Sequence, residues 1–103
     1  MVLIGLVGLM VLFFSFQSLF TETGIGMSIA CNKVKGVRCA KVDNIEEASL
    51  TRLHNNSNVI AISSLNQNAL EIIKTFLKTE FSNEERHIKR VNKITQYEEK
   101  NEY

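Results

Sequence analysis

Three small groups of side chains in this sequence have the types and spacing to do chemistry. Thr23-Gly24-Ile25-Gly26 opens an apolar run. Glycines at a helix start leave backbone N–H groups and a positive dipole end facing an oxyanion or phosphate. The same residues also suit a plain tight turn. They do not form a G-x-x-x-x-G-K-[ST] loop, and Ile29 fills the third glycine position of a dinucleotide fingerprint. His54, followed by Asn55, supplies a group for proton transfer, although a histidine at a helix end is also favoured simply by the dipole. Arg86 and Arg90 stand four apart on one helix face, a spacing that suits a phosphate monoester and equally suits a solvated basic stripe. Cys31 and Cys39 are the only cysteines, and His54 and His87 lie far apart in sequence. The reading is two unlinked, reduced thiols and no metal site.

The elements that must position these groups alternate. Met27 to Val34 reads as a short helix closed by Gly36, and Val37 to Val42 as a strand. Asp43-Asn44 caps a helix over Ile45 to His54, with Ile45, Ala48, Leu50 and Leu53 as its apolar positions. Asn58 to Ile62 is a continuously apolar strand of the kind buried in a parallel sheet. Ala69 to Phe81 is the clearest helix, with a Leu70, Ile73, Leu77 and Phe81 stripe widened by Ile72 and Phe76. Ser82-Asn-Glu-Glu85 has the spacing of a capping box for a last helix with Ile88, Val91 and Ile94 on its apolar side. The tail after Gln96 is charged and reads as frayed. Strand–helix alternation with apolar strands points to α/β with a parallel sheet, in which two strands are too few to close.

Composition divides the chain at Phe20. All charged residues of the 103 lie beyond it, and the formal net charge of +1 with no aromatic-studded basic face excludes an electrostatically driven nucleic-acid binder. Residues 1–20 meet the length criterion for a transmembrane helix. If they inserted, the basic residues from Lys33 onward would place the body in the cytoplasm, membrane-anchored. The competing reading is that 1–20 is out-of-frame translation joined to a soluble cytoplasmic body, with 21–97 as its domain and 98–103 as a charged tail.

Three blocks together resemble ribose-5-phosphate isomerase type B and the galactose-6-phosphate isomerase subunits: Thr23 to Arg38, Leu50 to Val59 and Arg86 to Val91. The resemblance runs from about Thr21 to Ile94. It implies a truncated Rossmann-like three-layer domain with a parallel sheet, preceded by a hydrophobic N-terminal segment. It implies aldose–ketose isomerisation of a small-molecule sugar phosphate, ribose 5-phosphate to ribulose 5-phosphate, with no metal or cofactor, in a homodimer with sites at the interface. Residue by residue, Gly24, Ile25, Gly26, Met27 and Ser28 match the family's anion hole and Thr23 its assisting hydroxyl. His54 matches the ring-opening acid–base histidine with Asn55 beside it. Arg86 and Arg90 match the pair that holds the phosphate.

The departures concern the base. Thr21 stands where many members carry a catalytic cysteine, and Glu22 where they carry glycine. A threonine hydroxyl is too weak an acid to replace a thiolate. Met27 stands where another branch places a glutamate base. The family's early Asp-His pair has no counterpart. The expectation is therefore an isomerase by family whose activity is impaired, with a membrane-tethered, non-enzymatic remnant as the alternative.

Overall fold

A strand without polar residues must be covered on both faces, and Val59–Ile62 is the strand on which this fold is built. The computed structural model describes residues 2–7, 10–15 and 23–100. In chain order the elements are β1 (Val2–Val7), β2 (Met10–Ser15), α1 (Ile25–Cys31), β3 (Cys39–Lys41), α2 (Ile45–Asn55), β4 (Val59–Ile62), α3 (Ala69–Lys78) and α4 (Glu85–Lys100). The sheet order is β2-β1-β4-β3. β3 and β4 are parallel, Cys39 opposite Val59 and Lys41 opposite Ala61. β1 lies antiparallel along the other edge of β4 and forms a hairpin with β2.

Side chains alternate across β4, so each face carries its own layer. Ile60 and Ile62 meet Val42, Ala48 of α2, and Ile72 and Phe76 of α3, all fully buried. Ala61 and Val59 meet Met27, Cys31 and Cys39 on the opposite face, beneath α1. The described body is thus helix, sheet and helix, with a parallel β3–β4 pair, as the Rossmann-like reading expects.

The hydrophobic leader departs from one of its two readings. Its described residues form two strands, not a helix, and among the described residues no helix is long and apolar enough to cross a membrane. The transmembrane helix that the leader's length suggests is not among the described elements. The physical reason is local: Val-, Ile- and Phe-rich sequence favours extended chain, and the open edge of β4 offers β1 a backbone to pair with.

Several boundaries also move. Asn44 caps α2 as expected, its side chain accepting from the Glu47 N–H at 2.8 Å while Glu47 accepts from the Asp43 N–H at 2.7 Å. α1 ends at Cys31, because Asn32 turns away to bond Cys39 on β3 through both ends of its side-chain amide (2.8 and 2.7 Å). Of the anticipated apolar positions of α2, Ala48 is buried as expected while Ile45 and Leu50 are exposed, and Thr51 is buried beside Ala48. α3 buries Ile72, Thr75 and Phe76, leaving Leu70 and Leu77 of the anticipated stripe in solvent. Among the described residues the tail beyond Gln96 is helical, and α4 runs to Lys100.

The anticipated capping box at Ser82 is not formed. Asn83 takes a left-handed conformation (φ 58°), which delays the helix to Glu85. The Ser82 hydroxyl instead pairs with His87 Nδ1 at 2.8 Å. His87 and Val91 are the buried residues of α4. Burial is the main cause holding the His87 imidazole below its ordinary pKa, helped by His54, Arg86 and Arg90 and opposed by Glu84.

Two outcomes follow from this packing. Phe76→Ala empties a fully buried site, and denaturant unfolding should show a loss of about 3–5 kcal/mol. Since His87 has a lowered folded pKa, the unfolded chain binds a proton first. Stability should hold at neutral pH and fall as pH drops below the ordinary histidine value of 6.5. Thermal melts from pH 7.5 to 5 should show this, and His87→Phe should flatten the slope.

Candidate functional site

The glycine turn is placed by contact with the central strand. Gly24 caps α1 with φ 87°, a left-handed conformation that side chains rarely adopt. A Cβ there would lie 3.6 Å from the carbonyl carbon of Ala61, so the turn rests on the C-terminal half of β4. Thr23 Oγ1 accepts from the Ile25 N–H at 3.3 Å, and the Ser28 hydroxyl donates to the Ile25 carbonyl at 2.7 Å. Ser28 N–H closes the first helical bond onto Gly24. Gly26 and Met27 belong to the first turn of α1, whose amides have no intrahelical acceptor. Met27 itself is buried with Ala61. Thr21 and Glu22, the residues at the family's base position, lie outside the described residues.

His54 sits in the last turn of α2, where the dipole favours a basic side chain. The turn beyond it is clamped by two arginines. Arg52 donates from Nη1 to Asn56 Oδ1 (2.9 Å) and to the Ser57 carbonyl (2.7 Å), and from Nε to the Thr79 carbonyl (2.9 Å). Arg38 donates from Nε to the Asn56 carbonyl at 3.0 Å. Asn58 Oδ1 accepts from the Arg38 N–H, and its amide donates to the Gly36 carbonyl, both at 2.8 Å. Asn56 itself is left-handed, at φ 48°. Sequence reasoning assigned neither arginine a role. The signal available was a polar Asn56-Ser57-Asn58 turn just before a buried strand, whose carbonyls need donors.

His54 and His87, far apart in sequence, are neighbours in space. Their ring centroids are 4.3 Å apart with planes tilted by 35°. This is a stack, not two nitrogens converging on an ion, and among the described residues no group of three or more His, Cys, Asp or Glu is placed to hold a metal. Arg86 and Arg90 flank His87 on α4, exposed and close enough to act on its charge. Glu84 bonds the Arg86 guanidinium at 3.0–3.1 Å, an exposed pairing that an incoming phosphate can displace at little expense. The ring contact thus sets His54 against α4, the helix that carries Arg86 and Arg90.

Cys31, the last residue of α1, and Cys39, the first of β3, are free and half-buried. Burial, then the proximity of Cys31, pushes the Cys39 thiol up to about 12, and burial raises Cys31 as well. Both shifts favour the thiol over the thiolate, the form that reacts as a nucleophile. A cavity of about 370 Å³ lies between the β3 edge and the end of α4, lined by Arg38, Thr51, Ser57, Ile94, Tyr97 and Glu98 among others. Of the candidate residues only Asn55 reaches it.

The candidate residues form two clusters. The Thr23–Ser28 turn lies at the C-terminal end of β4 on the α1 face. His54 and Asn55 lie beside the N-terminal end of β4, on α2 across the sheet. One chain does not bring the two together.

The residues from 14 to 94 match the model of the Ribose/Galactose Isomerase family. A Bacillus subtilis protein classed with the sugar phosphate isomerases is 48% identical over 86 residues, covering 81% of this chain and 57% of its own length. Ribose-5-phosphate isomerase B of Mycobacterium tuberculosis is 37% identical over 83 residues, covering 78% and 51%. Among solved structures, type B ribose 5-phosphate isomerase of Trypanosoma cruzi superposes with a TM-score of 0.74 at 44% identity, over 77% of this chain and 54% of that one. The Mycoplasma genitalium enzyme, solved with bound ribulose-5-phosphate, gives 0.70 at 41% identity, over 75% and 52%. The chain spans about half the length of the relatives it matches. On the family match and these identities, this chain belongs to the ribose/galactose isomerase family.

Proposed function

We propose that this chain is the sugar-phosphate-binding half of an aldose–ketose isomerase acting on ribose 5-phosphate, impaired in its proton-transfer step. The observation that carries the reading is the His54–His87 ring contact, which sets the end of α2 against the helix that carries Arg86 and Arg90. Two guanidinium groups one helical turn apart grip a phosphate through charge-assisted hydrogen bonds. His54 beside them donates and accepts the proton that opens the sugar ring, and Asn55 orients the sugar. The Thr23–Ser28 turn supplies backbone donors for the enediolate oxygen. Ribulose-5-phosphate in the Mycoplasma genitalium relative supports the choice of substrate.

Since the two clusters lie across the sheet from one another, the site closes only when a second copy presents its turn to the first copy's His54. A homodimer is therefore part of the proposal. The weak point is chemical: Thr21 offers no group that ionises near neutral pH to take the proton from carbon.

Binding and turnover separate these parts. Calorimetry should show ribose 5-phosphate binding weakened about tenfold or more by Arg86→Ala or Arg90→Ala, the loss of one charge-assisted contact. Absence of binding by the unaltered chain would sink the reading. Isomerisation by the unaltered chain should be slow, and Thr21→Cys should raise kcat by about 10²-fold or more. Equal turnover by both forms would show that the base lies elsewhere.

A further inference from the structure

An exposed histidine at the end of a helix samples several rotamers, yet proton transfer demands that its nitrogen stay within hydrogen-bond reach of the sugar. We propose that His87 is the positioning residue for His54: its ring, locked by Ser82, fixes the plane in which the His54 imidazole meets the substrate. This rests on the reading of His54 as the acid–base group.

The support is a closed loop of contacts. Ser82 N–H donates to the carbonyl of Leu53, the residue before His54, at 3.2 Å. The same serine's hydroxyl pairs with His87 Nδ1 at 2.8 Å. The His87 ring, 3% exposed, then lies 4.3 Å from the His54 ring, a separation and tilt within the attractive range for aromatic pairs. Backbone, hydroxyl and two rings therefore hold one another, and the left-handed Asn83 bends the chain so that Ser82 reaches both partners. The Ser82 oxygen serves the histidine and the chain at once, since it also accepts from the Glu84 N–H at 3.3 Å. The groups facing His87 are His54 from α2, Arg86 and Arg90 from α4, and Glu84 before it at 3.6 Å. Burial and the cations favour the uncharged His87 ring.

A residue that merely filled the α2–α4 contact would leave the His54 ring unaffected once the fold was intact. The test uses the full chain with isotopically labelled histidines. In the unaltered protein the His54 ring protons should be shifted by the neighbouring ring current and show Overhauser contacts to His87. His87→Phe should retain that shift, because it restores a flat ring. His87→Gln should abolish it while the amide spectrum of β3 and β4 persists. Should the glutamine variant fail to fold by circular dichroism, Ser82→Ala serves instead and should reduce the shift by releasing the ring. Unchanged His54 ring signals in a folded His87→Gln or Ser82→Ala chain would overturn the proposal. With ribose 5-phosphate, His87→Gln should lower kcat by about tenfold to a hundredfold at constant KM, with recovery in His87→Phe. A rise in KM alone would count against positioning. If no form turns over, the ring signals decide this proposal, and it is the isomerase reading that has failed.

Discussion

The clamp on the turn between α2 and β4 is the constraint on which the rest depends. β4 is apolar throughout and sealed on both faces, so the chain entering it must satisfy its carbonyls before it is buried. Arg52 and Arg38 do this from two sides, and Arg52 reaches on to Thr79 beyond α3. The buried Thr51 and Ser57 hydroxyls pair beneath them. One turn thereby ties α2, β3, β4 and the end of α3. The Arg52 guanidinium also lies 5.8 Å above the Phe76 ring, joining the clamp to the core. His54 and Asn55 sit at the fixed end of α2 for this reason, and the site inherits its rigidity from structural contacts.

Much of this fold was legible because periodicity and capping are local. Val59–Ile62 declared itself buried, and Asn44 declared a helix start. What was not legible depended on tertiary partners. The apolar stripe of α3 admitted two faces, and the sheet chose the Ile72–Phe76 flank. Ser82 had the spacing of a capping box, but the left-handed Asn83 shifts the helix start, and the serine oxygen meets the Glu84 N–H and His87 instead of the Glu85 N–H. The leader met the length criterion for a membrane helix, a criterion that counts apolar residues and cannot see that β4 has an open edge.

The candidate site was legible as a set of residues and not as an arrangement. The three sequence blocks named the family, which the match over residues 14–94 establishes. Nothing in their spacing showed that the glycine turn and His54 would lie across the sheet, or that two distant histidines would stack. Arg38 and Arg52 fell within the quoted blocks and carry the architecture, while Arg86, paired with Glu84, and Arg90 are exposed on the surface. Basic residues that bond carbonyls shape the chain. Those left in solvent are available for substrate.

The most direct measurement is a crystal structure of the chain soaked with ribose 5-phosphate. The phosphate is expected between the Arg86 and Arg90 guanidinium groups, with the sugar within hydrogen-bond reach of His54 and a second copy's Thr23–Ser28 turn closing over it. Phosphate seated instead in the cavity beside β3 and the end of α4, or no ordered sugar phosphate at saturating concentration, would contradict the account.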